Sequence, residues 1–358
     1  MKKFLALFLV LALVGCLFTA CASKNESAAT NDAAASDAKA ADSDGYVIAL
    51  CNHSLGETWR VQMVAEFEQA ADALVEQGVI KEYYETNADA DASKQISDMQ
   101  DLIAKGVDGI VISACNPTAL NDVIEEATAA GIKVVNFNML ATTDQVVAKV
   151  NQSDQDFGRI GAEFLAEALG GKGKIIALQG VAGTPVCIGR WEGAKAVFDQ
   201  YPDIEILAEA YADWDYSTGK AATESLLSAY PEIDGVWSSG GASTQGAIDA
   251  FIAAGRPLVP MSGEGGNGFL ASWKKYQGVD KFDSVAPVYD CAMVVDALDI
   301  LIDALDGKEV VFDQSSLPMD KITADTIDEY YRSDLPDSYW AGTRLTEENL
   351  AKLFAINN

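Results

Sequence analysis

The sequence has few of the residues that build metal sites and nucleophilic active sites. Its 358 residues include one histidine, His53, and six cysteines, and no two cysteines are in C-x-x-C spacing. Zinc sites need several Cys or His ligands, so we expect no metal. A G-x-S-x-G nucleophile motif and a P-loop ending in Gly-Lys-Ser/Thr are also absent. The sequence therefore predicts no catalytic residues and no cofactor, and His53 is expected to form hydrogen bonds in a loop.

Basic residues are scarce as well. The chain has 25 Lys and Arg against 54 Asp and Glu, which gives a formal net charge of −29. A nucleic-acid surface needs clustered Lys and Arg to neutralise phosphates, so this balance argues against a nucleic-acid partner. Hydrophobic residues make up 49% of the chain, which is enough to bury large cores. A length of 358 residues allows two domains of ordinary size.

The first 21 residues (1–21), MKKFLALFLVLALVGCLFTAC, have the pattern of an export signal. Two lysines precede an apolar run over 4–14, shorter than the roughly 20 residues of a membrane-spanning helix. The pattern resembles the lipobox of bacterial lipoproteins, and we expect lipidation at Cys21, with Cys16 as the alternative. An ordinary cleaved signal is the other interpretation. Residues 22–44 carry no large apolar side chain and are expected to form a disordered tether outside the cell membrane.

From residue 45 onward, strand-like and helix-like segments alternate. YVIAL (46–50) and GIVIS (109–113) are rich in Val and Ile, and the amphipathic SKQISDMQDLIAKG (93–106) lies between them. Such alternation is typical of parallel β-α-β units with helices on both faces of a sheet. The pattern restarts near residue 146 and continues through the helix-like CAMVVDALDILIDALDG (291–307). We therefore predict an α/β fold with two successive halves, and a ligand cleft where the carboxyl ends of their strands meet.

Four cysteines lie beyond the N-terminal segment, at Cys51, Cys115, Cys187 and Cys291. An even number in an exported protein allows two disulfides. Each of the four stands in or beside an apolar run, where a cysteine behaves as a small hydrophobic residue, and this interpretation is favoured. Cys51 and Cys115 both end strand-like runs, so they are the first pair to examine for a bond.

Several segments resemble one known family. They are GVDGIVISACNPTAL followed by AAGIKVVNFN, then LQGVAGTPVCIGRWEGAKAVF (178–198), ADWD (212–215) and GEGGNG (263–268). In this order they are similar to type 1 periplasmic binding proteins, the sugar-binding components of ABC importers related to the ribose-binding protein. The resemblance extends over about residues 46–310. It implies a binding protein rather than an enzyme, with a sugar ligand, permease subunits as partners and a monomeric state.

The resemblance also implies the domain arrangement. The family has two Rossmann-like lobes, each a parallel sheet flanked by helices, joined by a three-strand hinge with the ligand cleft between them. The crossings are expected near residues 150–154, 284–289 and 308–313. The N-terminal lobe is then expected to comprise 45–151 plus 288–310, and the C-terminal lobe 152–287 plus 311–358.

Matching the cleft residues of the family onto this chain gives seven candidates for ligand contact. Trp59 and Trp214 match aromatic residues that stack on a sugar ring from opposite lobes, and Arg190 matches a cleft arginine. Arg60 stands where the family has a second aromatic residue, and Glu57 where it has an Asn. The remaining candidates are Asn138 and Glu264.

Several positions depart from the ribose-binding pattern. Asn138 and Met139 stand in place of an Asp-Arg pair, and Glu264 in place of an Asp. Gly240 occupies an Asn position and Pro287 a Gln position. These departures put ribose itself in doubt and favour another small polyol, while the charged candidates also allow a sugar acid or an amino acid. A sensor that presents its ligand to a receptor is the second functional hypothesis.

One motif allows a different interpretation. Gly263, Gly265 and Gly268 fit the G-x-G-x-x-G pattern of dinucleotide-binding proteins, with Asp283 about 20 residues further on. The motif comes late in the chain rather than in an opening β-α-β unit. We therefore interpret it as a cleft loop whose glycines permit close backbone approach.

Overall fold

The computed structural model describes residues 45–356 of the chain. The predicted export signal, the lipidation site at Cys21 or Cys16 and the tether lie outside the described residues. Within 45–356 there are twelve strands and eleven helices. The strands are β1 Tyr46–Asn52, β2 Ile80–Asn87, β3 Gly109–Ile112, β4 Lys133–Phe137, β5 Ala148–Gln152, β6 Lys172–Gln179, β7 Asp203–Tyr211, β8 Gly235–Ser238, β9 Met261–Ser262, β10 Ser284–Pro287, β11 Asp313–Leu317 and β12 Lys321–Ile322. The helices are α1 Thr58–Glu76, α2 Ala92–Lys105, α3 Asn121–Ala129, α4 Asp154–Ala168, α5 Pro185–Phe198, α6 Tyr216–Ala229, α7 Gly241–Ala253, α8 Asn267–Tyr276, α9 Met293–Leu305, α10 Ile327–Tyr330 and α11 Glu347–Leu353.

The strands form two six-stranded sheets of the same plan. The strand order is β11-β5-β4-β3-β1-β2 in the first sheet and β12-β10-β9-β8-β6-β7 in the second. The pairing is parallel throughout except between β10 and β12, at one edge of the second sheet. Helices follow most of the strands, as parallel pairing requires. The predicted α/β fold of two lobes is confirmed.

Local sequence explains where the elements begin and end. Helix α2 begins after Asp91, whose carboxylate accepts hydrogen bonds from the backbone N–H groups of Ser93 and Lys94. The same helix ends at Gly106, which has a φ of 70° that glycine adopts without strain. The four residues of β3 are all buried, in keeping with a central strand covered on both faces. Caps and buried apolar runs thus determine where these elements begin and end.

Within the described residues 45–356, the chain crosses between the lobes three times. The first crossing leads from β5 to α4, and the second, over 288–292, leads from β10 to α9. The third lies over 318–320, between β11 and β12. The expectation of a third crossing near 308–313 is wrong, because β11 first pairs with β5 and places Asp313 opposite Lys149. Three connections between two lobes are the usual basis for a hinge.

The C-terminal part of the chain belongs to both lobes. We expected all of 311–358 in the second lobe, but β11 joins the first sheet and β12 the second. Further on, Trp340 packs into the buried cluster that contains residues of α1 and α9, and Ala341 packs into the core of the second lobe. The physical reason is that this segment runs along the junction of the lobes, where adjacent residues face different cores.

The four cysteines among residues 45–356 are buried and free. Gln95 lies between Cys51 and Cys115, the pair considered for a disulfide. Its Nε2 is 3.7 Å from the Sγ of Cys51, and its Oε1 accepts the N–H of Cys115 at 2.8 Å. The cysteines therefore act as small buried residues. Over the same range no helix is long and apolar enough to cross a membrane, and no group of three or more His, Cys, Asp or Glu could hold a metal ion.

Candidate functional site

A cavity between the lobes brings together all seven residues that the sequence singled out. Its space between protein atoms, counted with the part open to solvent, is about 430 Å³. The first lobe, the second lobe, the second crossing and the C-terminal segment each contribute to its wall. The lining residues are Glu57, Thr58, Trp59, Arg60, Asn138, Met139, Val186, Arg190, Trp214, Glu264, Tyr289 and Trp340.

Trp59 is fixed at the start of α1. Its indole N–H donates to the carbonyl oxygen of Tyr289 at 2.8 Å, and the two rings lie 5.9 Å apart. Trp59 is only 7% exposed and is part of the core of the first lobe, so it has both a packing role and a face on the cavity. A residue of the second crossing thereby holds an aromatic wall of the first lobe in position.

Trp214 forms an aromatic wall from the second lobe, in the loop after β7. It and Asp213 have φ values of 54° and 51°, a left-handed conformation that two consecutive non-glycine residues rarely adopt. The indole N–H donates to the hydroxyl oxygen of Ser239 at 3.0 Å. A Cβ at Gly180 would lie 2.0 Å from the indole, and one at Gly240 would lie 2.6 Å from it. Gly240 therefore stands where a longer side chain would displace Trp214.

Arg60 is buried in the wall of the first lobe, at 2% exposure, rather than facing solvent in the first turn of α1. Its Nη1 donates to Ser113 Oγ at 3.0 Å and its Nη2 to Asn138 Oδ1 at 2.6 Å. Asn138 itself has a φ of 57°, which turns its amide back toward the arginine. The Nε of Arg60 lies 3.7 Å from Glu57 Oε2. Burial raises the pKa of Glu57, while the charge of Arg60 opposes that rise.

Arg190 is the corresponding cation of the second lobe, on α5. Its Nη2 donates to Glu264 Oε1 at 2.9 Å and its Nη1 to the carbonyl oxygen of Ser239 at 2.5 Å. The guanidinium carbon lies 3.6 Å from the ring centre of Phe157 and 4.4 Å from that of Tyr289. Burial lowers the pKa of Arg190, but Glu264, Tyr289 and Asp154 together outweigh burial, and the net effect raises the pKa. The arginine therefore remains charged and rigidly placed.

Both arginines keep donors for a further partner. An arginine side chain carries five N–H donors in a planar fork. The protein partners named above use one donor on each terminal nitrogen, and the Nε of each arginine makes no hydrogen bond. The two Nε atoms are buried, so the remaining N–H groups on the terminal nitrogens of Arg60 and Arg190 are the donors left for a ligand in the cavity that both residues line.

Tyr289 and Trp340 were not among the sequence candidates. Tyr289 follows β10, and its hydroxyl donates to Asn151 Oδ1 at 2.7 Å and accepts from Asn138 Nδ2 at 3.2 Å. Its position just after β10 is a signal that could have identified it as a site residue, but the resemblance pointed to Pro287 instead. Trp340 lies beyond the resemblance, and no local pattern connects it to the cavity. Thr58, Met139 and Val186 complete the wall.

His53 is not part of the cavity. It is 2% exposed, and its Nδ1 makes no hydrogen bond. Burial, with a smaller contribution from the charge of Arg60, lowers the pKa of His53 to about 3. The imidazole is therefore neutral at physiological pH, and the expected hydrogen-bonding role is wrong for its Nδ1.

Two parallel α/β lobes, three crossings and a polar, aromatic-walled cavity between them define a hinged binding protein. Comparison with known proteins agrees: the family described as periplasmic binding protein domain matches residues 48–309. The chain belongs to this family of extracytoplasmic binding proteins, and the resemblance found in the sequence is confirmed. The GEGGNG loop and the cleft candidates all lie within the matched part.

Two curated relatives illustrate the similarity. The ribose import binding protein RbsB of Bacillus subtilis (strain 168) is 31% identical over 188 residues, which is 52% of this chain and 61% of the relative. The xylitol-binding protein of Mycolicibacterium smegmatis is 33% identical over 178 residues, 49% of this chain and 51% of the relative. The chain thus spans about half to three-fifths of the length of these curated relatives.

Solved structures extend the similarity over most of the chain. An ABC transporter solute binding protein from Thermobispora bispora is 28% identical with a TM-score of 0.76, covering 87% of this chain and 95% of that one. A second, from Bacillus halodurans with bound myo-inositol, is 25% identical with a TM-score of 0.72, covering 81% and 98%. Both share the two-lobed fold.

Proposed function

We propose that the protein captures a small neutral polyol, with a monosaccharide as the preferred ligand, outside the cell membrane and delivers it to an ABC importer. The observation that carries this proposal is the convergence of Trp59, Trp214, Arg60 and Arg190 on one buried cavity. Aromatic faces suit the C–H faces of a sugar ring, and guanidinium forks suit pairs of hydroxyl groups. Catalysis has no part in the proposal.

The charge balance of the site favours a neutral ligand over a sugar acid or an amino acid. Arg190 is paired with Glu264 at 2.9 Å, and Arg60 has Glu57 at 3.7 Å. Each buried cation thus already has a carboxylate beside it. An additional carboxylate on the ligand would introduce an uncompensated charge into a site shielded from water, which is costly. Hydroxyl groups can use the unused donors without disturbing this balance.

The relatives support a sugar or polyol without choosing one. Relatives in sequence are named for ribose, xylitol and D-apiose, and one solved structure similar in fold contains myo-inositol. Departures from the ribose pattern at Met139, which lines the cavity, and at Gly240, which lies against Trp214, argue for a ligand other than ribose. We propose a polyol of five or six carbon atoms, the size of the ligands for which these relatives are named.

Binding would proceed by hinge closure. The first lobe supplies Trp59 and Arg60, the second supplies Trp214 and Arg190, and Tyr289 sits on a crossing between them. A ligand held by both walls stabilises the closed arrangement by its differential affinity for that state. The closed form is the species that we propose permease subunits recognise. We further propose a monomer anchored by a lipid on Cys21, with Cys16 as the alternative.

Calorimetry tests the proposal directly. Purified protein would be titrated with D-ribose, xylitol, D-apiose, myo-inositol and D-allose. We expect at least one of them to bind with a Kd near the micromolar range, a binding free energy on the order of −8 kcal/mol, with no turnover of the sugar. An absence of binding heat across this panel and a wider set of monosaccharides would contradict the proposal. Loss of membrane attachment in Cys21→Ser would test the anchor separately.

A further inference from the structure

The C-terminal strap, defined as residues 332–356, follows the part of the chain that matches the family, which ends at residue 309. The strap contains helix α11 and a buried cluster of its own around Tyr339 and Leu350. It contacts both lobes, so it is a link between them in addition to the three crossings.

One set of contacts joins the strap to α1 of the first lobe. Thr58, Gln62, Glu66 and Gln69 fall on one face of this helix and all hydrogen-bond to the strap. The amide of Gln62 bonds to both backbone groups of Trp340, at 2.9 and 3.0 Å. Glu66 and Gln69, on the same face of the helix, hydrogen-bond to Thr343, Arg344, Thr346 and Asn349.

A second set of contacts joins the strap to the glycine-rich loop of the second lobe. The N–H of Ala341 donates to the carbonyl oxygen of Gly265 at 2.9 Å, and the N–H of Asn267 donates to that of Tyr339 at 2.8 Å. Gly266 and Trp340 form an antiparallel bridge between these bonds. The side chain of Asn267 also donates to three strap carbonyl oxygens, at residues 332, 335 and 336.

The glycines of this loop are fitted to the strap. A Cβ at Gly268 would lie 2.8 Å from the Cβ of Asp337, and one at Gly266 would lie 3.3 Å from the ring of Trp340. Of the three glycines of the G-x-G-x-x-G pattern, Gly268 is thus fitted to the strap, whereas a Cβ at Gly263 would lie 2.4 Å from the ring of Phe269 on α8. This agrees with its interpretation as a cleft loop rather than as a phosphate-binding turn.

Trp340 is the point at which the strap reaches the ligand cavity. It is 6% exposed, lines the cavity and donates from its indole N–H to Thr58 Oγ1 at 2.8 Å. We propose that the strap fastens the two lobes in the closed state and that Trp340 is a specificity-determining wall of the ligand site. The second half of this inference rests on the proposed sugar-binding function, whereas the first half does not.

The specificity half is tested by calorimetry on Trp340→Ala and on a control, Phe354→Ala. Phe354 packs edge-on against Tyr339 within the strap and is not part of the cavity wall. With the sugar panel used above, we expect Trp340→Ala to weaken the tightest ligand at least tenfold and to change the ranking of the sugars. Phe354→Ala is expected to leave the ranking intact.

Trp340→Phe is the milder variant, included in case Trp340→Ala does not fold. It keeps an aromatic ring and loses only the hydrogen bond to Thr58 and part of the ring area. A Trp340→Ala protein with native circular dichroism and an unchanged affinity and ranking would overturn the assignment. If Trp340→Ala fails to fold, Trp340→Phe decides: a changed ranking supports the assignment and an unchanged one overturns it.

The fastening half is tested without a ligand, by small-angle X-ray scattering of the wild type and of Gln62→Ala. We expect Gln62→Ala to have a larger radius of gyration, because two of the bonds to the strap are lost. Identical scattering curves would overturn the fastening role. A wild-type protein that binds no sugar would refute the proposed function instead, and this scattering comparison would still decide the role of the strap.

Discussion

Arg190 and Glu264 form a buried ion pair in the wall of the cavity, with Nη2 and Oε1 2.9 Å apart and both side chains no more than 5% exposed. The arginine comes from α5 and the glutamate from the loop after β9, so two separate β-α units of one lobe meet at this pair. Together with Arg60 and Glu57 it makes the cavity polar but close to charge-neutral.

Glu264→Gln leaves Arg190 without its closest counter-ion. We expect the free energy of unfolding to fall by up to about 3 kcal/mol, because the buried charge loses its hydrogen-bonded counter-ion and keeps only Asp154, whose Oδ1 lies 3.8 Å from the Nε of Arg190. We also expect the ligand preference to shift toward anions, with tighter binding of a sugar acid such as D-galacturonate relative to its neutral parent sugar. Thermal unfolding and calorimetry measure the two effects. Unchanged discrimination between D-galacturonate and D-galactose would contradict the charge-balance argument.

Trp214→Ala removes the aromatic wall of the second lobe. We expect ligand affinity to fall at least tenfold, about 1.4 kcal/mol, with little loss of stability because this residue is half-buried in a loop. Trp191→Ala is the matched control, since Trp191 is also partly buried but packs on Trp237 outside the cavity. Equal affinity of the Trp214→Ala and Trp191→Ala proteins would argue against stacking at this wall.

Trp59→Phe is the informative change on the other wall. Trp59 belongs to the core of the first lobe, so Trp59→Ala would combine a packing cost of about 3 kcal/mol or more with any loss of ligand contact. Phe keeps an aromatic face but loses the bond to Tyr289. We expect a measurable loss of affinity in calorimetry with a native far-ultraviolet spectrum. Affinity equal to that of the wild type would mean that the indole is not required.

Tyr289→Phe removes one hydroxyl that serves two asparagines. Asn151 and Asn138 each lose a partner, so we expect the free energy of unfolding to fall by about 1–3 kcal/mol. Affinity should fall as well, because Asn138 orients Arg60. Tyr230→Phe is the matched control: its hydroxyl bonds to a backbone carbonyl within the second lobe. A Tyr289→Phe protein that matches this control in affinity would remove Tyr289 from the site.

The pH dependence of stability follows from buried carboxyl groups. Burial raises the pKa of Glu66, Glu85 and Asp154 to about 7 and that of Asp290 to about 6. Because these folded-state values exceed the unfolded ones, the folded state binds more protons, and stability falls as pH rises from about 5 to 7. Burial lowers the pKa of His53 to about 3, so this single group has the opposite effect: its own contribution makes stability rise with pH.

Glu66→Gln isolates one of these groups. Thermal or urea unfolding between pH 5 and pH 8 should show a shallower decline than in the wild type, since one carboxyl changes the free energy by at most about 1.4 kcal/mol per pH unit. Glu163→Gln is the control, because Glu163 is an exposed partner of Arg159. A wild-type stability that rises between pH 5 and 7 would contradict the assigned pKa directions.

Much of the fold and the site was predictable from the sequence. Local hydrophobic runs indicate the order of strands and helices, and loops after parallel strands converge on one edge of a sheet. Trp214 stands in such a loop, and Trp59 and Arg190 stand in the first two turns of the helices that follow such loops. The resemblance to the family indicated which side chains in these loops to expect in the ligand cavity.

The strap and the third crossing were not predictable in the same way. Gln62 and Trp340 pair across 278 positions, and β11 joins β5 from far along the chain. Such pairings depend on tertiary contacts that leave no periodic signal in either segment. The short, polar β11 has no alternation of apolar residues by which its sheet could be recognised.

A crystal structure of the protein with its tightest sugar from the calorimetric panel tests the central claim most directly. The account predicts density for the sugar in the cavity, with ring faces against Trp59 and Trp214 and hydroxyl oxygens within about 3.2 Å of Arg60 and Arg190 nitrogen atoms. A sugar bound elsewhere on the protein, with these four side chains making no contact to it, would contradict the account.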